Sequence, residues 1–297
     1  MPLNYNLDKY RLVYLCPSSM QIESLPQNIL RRHIALPTDH GSWVFLFSPL
    51  LIGLFAGGQW SPASFYLILA AVAAFLIRQP ATILVKVYSH RRSKRDLSAA
   101  WFWMAVYAFI GLLALSGLVA QGYSYLLILA MPGLPVFIWH LYLVSRRSER
   151  RQLGVEMVAT GVLALAAPAA YWVGVGSPEP MGWLLWALVW LQSAASIVYA
   201  YLRLEQRDLT AVPDTATRLA LGRRALLYTT FNLFAVLVLS LKHLLPLMLP
   251  IPYALQWVET IRGTLRPAVG LRPAAIGIRQ LIVSTLFTVL FIVTWNL

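Results

Sequence analysis

The stretch PTDHGSWVFL, residues 37–46, marks the edge at which this chain changes character. Before it the sequence is mixed and polar. After it the chain turns apolar and stays mostly so to residue 297. Hydrophobic residues make up 59% of the whole and charged residues only 12%, with a mean hydropathy of +0.66. A soluble domain carries about 25% charged residues. So much apolar surface cannot be hidden in the chain's own core, and the composition points to a multi-span membrane protein.

Working outward from residue 46, nine apolar segments follow, at 42–57, 62–87, 99–120, 123–144, 154–175, 182–203, 224–242, 244–261 and 275–296. Most approach the ~20 residues that a helix needs to cross ~30 Å of hydrocarbon. The first is short. The eighth holds Pro246, Pro250 and Pro252 and is expected to be bent or partly interfacial. Turn signals separate the segments: GGQWSP at 57–62, GVGSPEP at 174–180 and LRPAVGLRP at 265–273. The expected fold is all-α, a polytopic membrane helix bundle of about nine transmembrane helices. Residues 1–36 form a polar leader and 37–297 one helical domain. The leader lacks the apolar run of a signal peptide, and Met20 is a second candidate start.

Charge sets the expected orientation. With 24 Lys+Arg against 11 Asp+Glu the net charge is +13. In a membrane protein basic residues first mark cytoplasmic loops, so nucleic acid is not an expected partner. Alternating nine spans from an inner amino terminus puts 23 of the 24 basic residues on the inner side, with Lys242 alone outside. The pattern predicts an N-in, C-out protein of the plasma (inner) membrane. The runs RRSKR at 91–95 and RRSERR at 146–151 suit topology and anionic lipid. Trp60, Trp172, Trp183 and Trp295 fall near outer ends, where aromatic belts lie. A single cysteine, Cys16, excludes an internal disulfide and a cysteine metal cluster.

Ionisable groups inside spans are the informative ones, since a central Arg or Lys costs roughly 2.5–3.5 kcal/mol on insertion scales. Arg78, Thr82, Lys86 and His90 are spaced four apart and predict one cationic helix face. Its alternatives are a track for an anionic head group or two snorkelling cations. Gln192, Ser196, Tyr199 and Arg203 define a second face, continuing toward Glu205. That face is either a substrate cavity or ordinary hydrogen-bonded packing. His140 and Asn232 lie within spans, where interhelical hydrogen bonding is the commoner role. Glu156 suits a helix start, and Glu259 is expected to pair with Arg262 three residues on. In the opening stretch Thr38 or Asp39 can cap the first helix. His40 is not needed for capping, so Asp39 and His40 are also candidates for head-group binding or proton transfer. The candidate binding residues are Asp39, His40, Arg78, Thr82, Lys86, His140, Gln192, Tyr199, Arg203 and Glu205. There is no HExxH, CxxC pair, P-loop, GxSxG or dinucleotide fingerprint.

PTDHGSWVFLFSPLLIG at 37–53 resembles the PxEHGAW-type start of the YwiC-like family of integral membrane proteins. RPAVGLRPAAIGIRQLIVSTLFT at 266–288, RQPA at 78–81 and YAYLRLEQR at 199–207 also fit that family's layout. Asp39 stands where the family pattern has Glu, which keeps the carboxylate. The resemblance covers residues ~34–297 and implies a membrane fold, not a reaction. A weaker resemblance, of layout alone, is to UbiA-type membrane prenyltransferases. These have nine helices, an inner amino terminus and a cavity beside helices 2 and 6, where the loops are long. They hold Mg²⁺ through aspartate-rich motifs, because hard cations take carboxylate oxygens. Here RQPATILVKVYSHRRSKRD offers only Asp96, and LRLEQRDLTAVPD has Glu205, Asp208 and Asp214 without DxxxD spacing. Mg²⁺ is thus implied only if a diphosphate reaction is retained. Arg78, Lys86 and Arg203 could instead neutralise phosphate directly.

Three functions remain open at this point. One is a protein whose cytoplasm-facing polar cavity binds an isoprenoid or other anionic-headed lipid, either as a divergent UbiA-like prenyl transferase lacking the Asp-rich motifs or only to bind and present it. Another is a structural or assembly subunit of a membrane complex with pigment or quinone. The third is a small-solute transporter, for which no inverted repeat is visible.

Overall fold

In a computed structural model the described residues are 32–37, 40–148 and 152–297. Most of the leader and Asp39 lie outside them, as does the His40 side chain. All the described regular structure is helical, with no strand among these residues. A short α1 (Arg32–Ala35) precedes a 3₁₀ turn at His40–Trp43. Then come α2 (Val44–Gly57), α3 (Pro62–Tyr88), α4 (Leu97–Ala120), α5 (Leu127–Ser145), α6 (Leu153–Leu163) and α7 (Ala166–Val175). The chain finishes with α8 (Pro180–Arg207), α9 (Thr215–Leu241), α10 (Pro250–Leu265) and α11 (Pro273–Trp295). Among the described residues seven helical stretches are long and apolar enough to cross a membrane, α6 and α7 counting as one, and Gly41–Gly57 is a shorter apolar helix. Each of the nine expected segments contains helix.

The departures from expectation trace to proline and to capping. The segment 154–175 is broken at Ala164–Leu165. Pro168 has no N–H to give the Ala164 carbonyl, and its ring crowds that carbonyl. Ala164 accepts from the Ala167 N–H instead, at 3.0 Å. The Leu165 N–H turns to Val162, which strips Gly161 of its helical donor. The Trp186 indole N–H fills that gap at 2.9 Å from the Gly161 carbonyl. Helix α10 starts at Pro250, six residues later than the apolar run, because proline suits the first helical position, where no N–H is required. Its 16 residues span about 24 Å at 1.5 Å each, less than a hydrocarbon core. Helix α9 begins nine residues early, at Thr215, because Asp214 caps it. The Asp214 carboxylate accepts from the Ala216 and Thr217 amides at 3.1 and 3.4 Å. The charged stretch expected as a long inner loop is therefore mostly helix, with only 208–214 between α8 and α9. The charged residues after α3 likewise occupy a short turn before α4.

Close approach organises the amino-terminal helices. Gly53 and Gly57, four apart on α2, face Ala167, Ala170 and Gly174 on α7. A Cβ on Gly53 would sit 2.2 Å from the Ala167 carbonyl oxygen, and one on Gly174 would lie 2.8 Å from Gly57. Small residues at this spacing let membrane helices touch backbone to backbone, where lipid gives no hydrophobic drive. Trp172 is not a lipid-facing belt residue. It is buried, donates its indole N–H to the Glu179 carbonyl at 2.8 Å, and packs edge-on against Trp183.

Candidate functional site

Helix α8 carries Gln192, Ser196, Tyr199, Arg203 and Gln206 on one face, and the structure turns that face toward α10 and α11. Gln192 donates to the Gln256 amide oxygen at 3.3 Å. Gln280 of α11 donates to the Ser196 hydroxyl. The Tyr199 hydroxyl donates to Glu259 Oε1 at 2.8 Å. Glu259 is not paired with Arg262, as the sequence spacing suggested. Its partner is Arg279 from α11, whose Nε and Nη2 reach the two carboxylate oxygens at 2.5 and 2.7 Å. This bidentate fork is the strong form of the ion pair. The Glu259 side chain is 9% exposed and that of Arg279 41% exposed, so the pair stands at the border of a cleft.

Arg203 has a structural reason to be where it is. Gly263 lies near the end of α10, and the residue four later is Pro267, which has no N–H for it. Arg203 Nη1 fills the role, 2.7 Å from the Gly263 carbonyl and 2.8 Å from that of Arg266. Its positive charge also suits the carboxyl end of a helix. Gln206 completes the corner, accepting from Arg203 Nη1 and the Ala268 amide and donating to Gly263. Only 7% of Arg203 is exposed, yet its Nε and Nη2 make no hydrogen bond among the described residues. The side chain lines a cleft of about 580 Å³ between α8, α10 and α11. That volume falls within the ~300–1,000 Å³ of small-molecule sites. Tyr199, Glu259, Arg262 and Arg279 line its polar part, and Leu271, Ile276, Ile278, Ile282 and Val283 its aliphatic part. A second, smaller cavity of about 20 Å³ is lined by Ser48, Gln192, Ser193, Ser196 and Ser284 among others.

Of the residues singled out by sequence, Tyr199 and Arg203 line the cleft, while Gln192 lies behind it at the smaller cavity. Glu205 is exposed and lines neither. Arg78, Thr82 and Lys86 are half-buried along α3, which packs chiefly on α4, α5 and α7. No residue of α3 lines the cleft. His90 leaves that face, because α3 ends at Tyr88 and His90 takes a left-handed φ of 55°. His140 is half-buried on α5, beside α3 and α6. Asn232 donates to the Leu191 carbonyl at 2.8 Å, the expected interhelical bond. Glu156 accepts from the Tyr201 hydroxyl at 2.8 Å. The α8 face read from sequence continues through Gln206, but its partners Arg279, Gln280 and Gln256 were missed. Arg279 enters the sequence reading only through the basic-residue count, although its place as the fifth residue of the 275–296 span is a signal.

These features define a polytopic helical membrane protein. The family described as YwiC-like protein matches residues 36–171. A protein of Bacillus subtilis (strain 168), named Uncharacterized protein YwiC, is 28% identical over 170 residues. That alignment covers 54% of this chain and 61% of the relative. The resemblance carried by PTDHGSWVFL is borne out: residues 36–171 are similar to that family. No solved structure matches. The likeness to the membrane prenyltransferases gains no support, and the long loops that suggested it are short.

Proposed function

We propose that this is a nine-span protein of the plasma (inner) membrane, amino terminus inside, whose α8–α10–α11 cleft binds an amphiphile with an anionic head. The observation that carries this reading is Arg203: a buried guanidinium, without a carboxylate partner of its own among the described residues, with donors left over beside the cleft. Arg262 and Arg279 add charge nearby, and the aliphatic part offers a bed for a hydrocarbon chain, isoprenoid or otherwise. The positive-inside asymmetry supports a cytoplasmic position for the cleft. The test is thermal unfolding of the protein in a neutral maltoside detergent. Dodecyl phosphate or phosphatidic acid should raise the midpoint and phosphatidylcholine should not, and Arg203→Gln should abolish the rise. Equal shifts with the zwitterionic lipid would sink the reading.

A further inference from the structure

Resting on the anion-binding reading of this cleft, we infer that its head-group specificity is for a phosphate monoester dianion carried on a hydrocarbon chain. The argument is one of charge and donors. Arg203, Arg262 and Arg279 bring three positive charges to the cleft, and Glu259 is the carboxylate that lines it. The net of two exceeds what a carboxylate, sulfonate or phosphodiester head can neutralise, since each carries one charge. A phosphate monoester carries close to two near neutral pH, its second ionisation falling at about pH 6.

Donor geometry agrees. Glu259 already accepts from Tyr199 and from both forks of Arg279, so its oxygens are engaged. Arg279 Nη1, and Nε and Nη2 of Arg203, make no hydrogen bond among the described residues. Arg262 stands exposed at the edge. Several guanidinium N–H groups from different helices suit a tetrahedral group with three terminal oxygens better than a planar two-oxygen carboxylate. Ile278, Ile282 and Val283 lie on α11 on either side of Arg279 and line the same cleft, so a chain leaving the head has apolar surface beside it.

The experiment is a titration of the full-length protein in neutral detergent with dodecyl phosphate, dodecyl sulfonate, dodecanoate and inorganic phosphate, each at pH 5 and pH 7.5. Dodecyl phosphate should bind more tightly at pH 7.5 by about tenfold, following its second ionisation, while the sulfonate should show no such gain. Arg262→Gln should weaken dodecyl phosphate by roughly tenfold or more and remove much of its preference over the sulfonate. Arg262 makes no hydrogen bond among the described residues that the fold would lose, so this variant keeps the test open if Arg203→Gln fails to fold. Equal affinity for phosphate and sulfonate at both pH values would overturn the dianion inference and leave the anion reading standing. Failure of every anionic amphiphile would overturn both. If inorganic phosphate binds as tightly as dodecyl phosphate, the dianion inference is supported and the lipid source is overturned.

Discussion

The two ends of this bundle solve the same problem with different chemistry. Between α2 and α7 the helices are joined by shape: Gly53, Gly57 and Gly174 bring backbones together. Between α8, α10 and α11 they are joined by polar side chains: Glu259 with Arg279 and Tyr199, Gln280 with Ser196, Arg203 with the end of α10. Close packing of small residues can hold helices together in lipid, and the first region is built that way. Uncharged polar groups there are ordinary glue between helices, but ionisable groups are costly, and those that are kept point to a functional site. The difference teaches where to look. The family match ends at residue 171, inside α7, so it takes in α2 and the first part of α7 and stops before the cleft.

The comparison can be broken most severely at its tightest contact. Gly53→Leu forces α2 off α7 and should cost about 3 kcal/mol or more, read as thermal unfolding in detergent. An unchanged midpoint would mean that α2 and α7 do not pack this way. Glu259→Gln sharpens the contrast, because stability and binding should move in opposite directions. Loss of the ionic fork should cost about 1–3 kcal/mol, while the cleft, one negative charge poorer, binds dodecyl phosphate more tightly. A fall in both would show that Glu259 shapes the site instead of opposing the anion. Gly263→Ala should lower stability by about 1–2 kcal/mol, since a Cβ there would meet the Tyr199 hydroxyl oxygen at 2.3 Å. Gly277→Ala, with nothing within 4 Å and inside α11, is the matched control and should be stabilising by about 0.4–1 kcal/mol.

The smallest effect concerns the entry to α9. The Asp214 carboxyl is held below its ordinary range, first by the Thr217 hydroxyl and then by backbone amides. A depressed carboxyl stabilises the fold above its unfolded value, about pH 3.9, and that contribution is lost as pH falls through the lowered value. Protection of the Ala216–Arg218 amides, taken relative to intrinsic exchange at each pH, should therefore hold at neutral pH and fall only in acid below that range. Asp214→Ala should lower it at every pH.

Much of the fold was legible. Apolar run lengths located each helical region to within a few residues, except where capping overrode hydropathy. Asp214 and Pro250 moved two helix starts, and Pro168 split one span; all three are local signals that a hydropathy reading underweights. The α8 face was legible because Gln192, Ser196, Tyr199 and Arg203 repeat at helical spacing. Its partners were not. Glu259 lay three residues from Arg262, and sequence proximity suggested the wrong cation, since Arg279 reaches it only through the packing of α11 on α10. The Arg78 face had the same periodic signature as the Arg203 face, and periodicity cannot say which face a neighbouring helix will meet.

That last ambiguity frames the most direct test. The protein, purified gently from its native membrane, would be examined for bound lipid by mass spectrometry beside Arg203→Gln and Arg78→Ala variants. The account predicts one anionic-headed species enriched in the unaltered protein and in Arg78→Ala, and lost from Arg203→Gln. The same bulk phospholipids in all three samples, or a specific lipid lost only with Arg78, would contradict it.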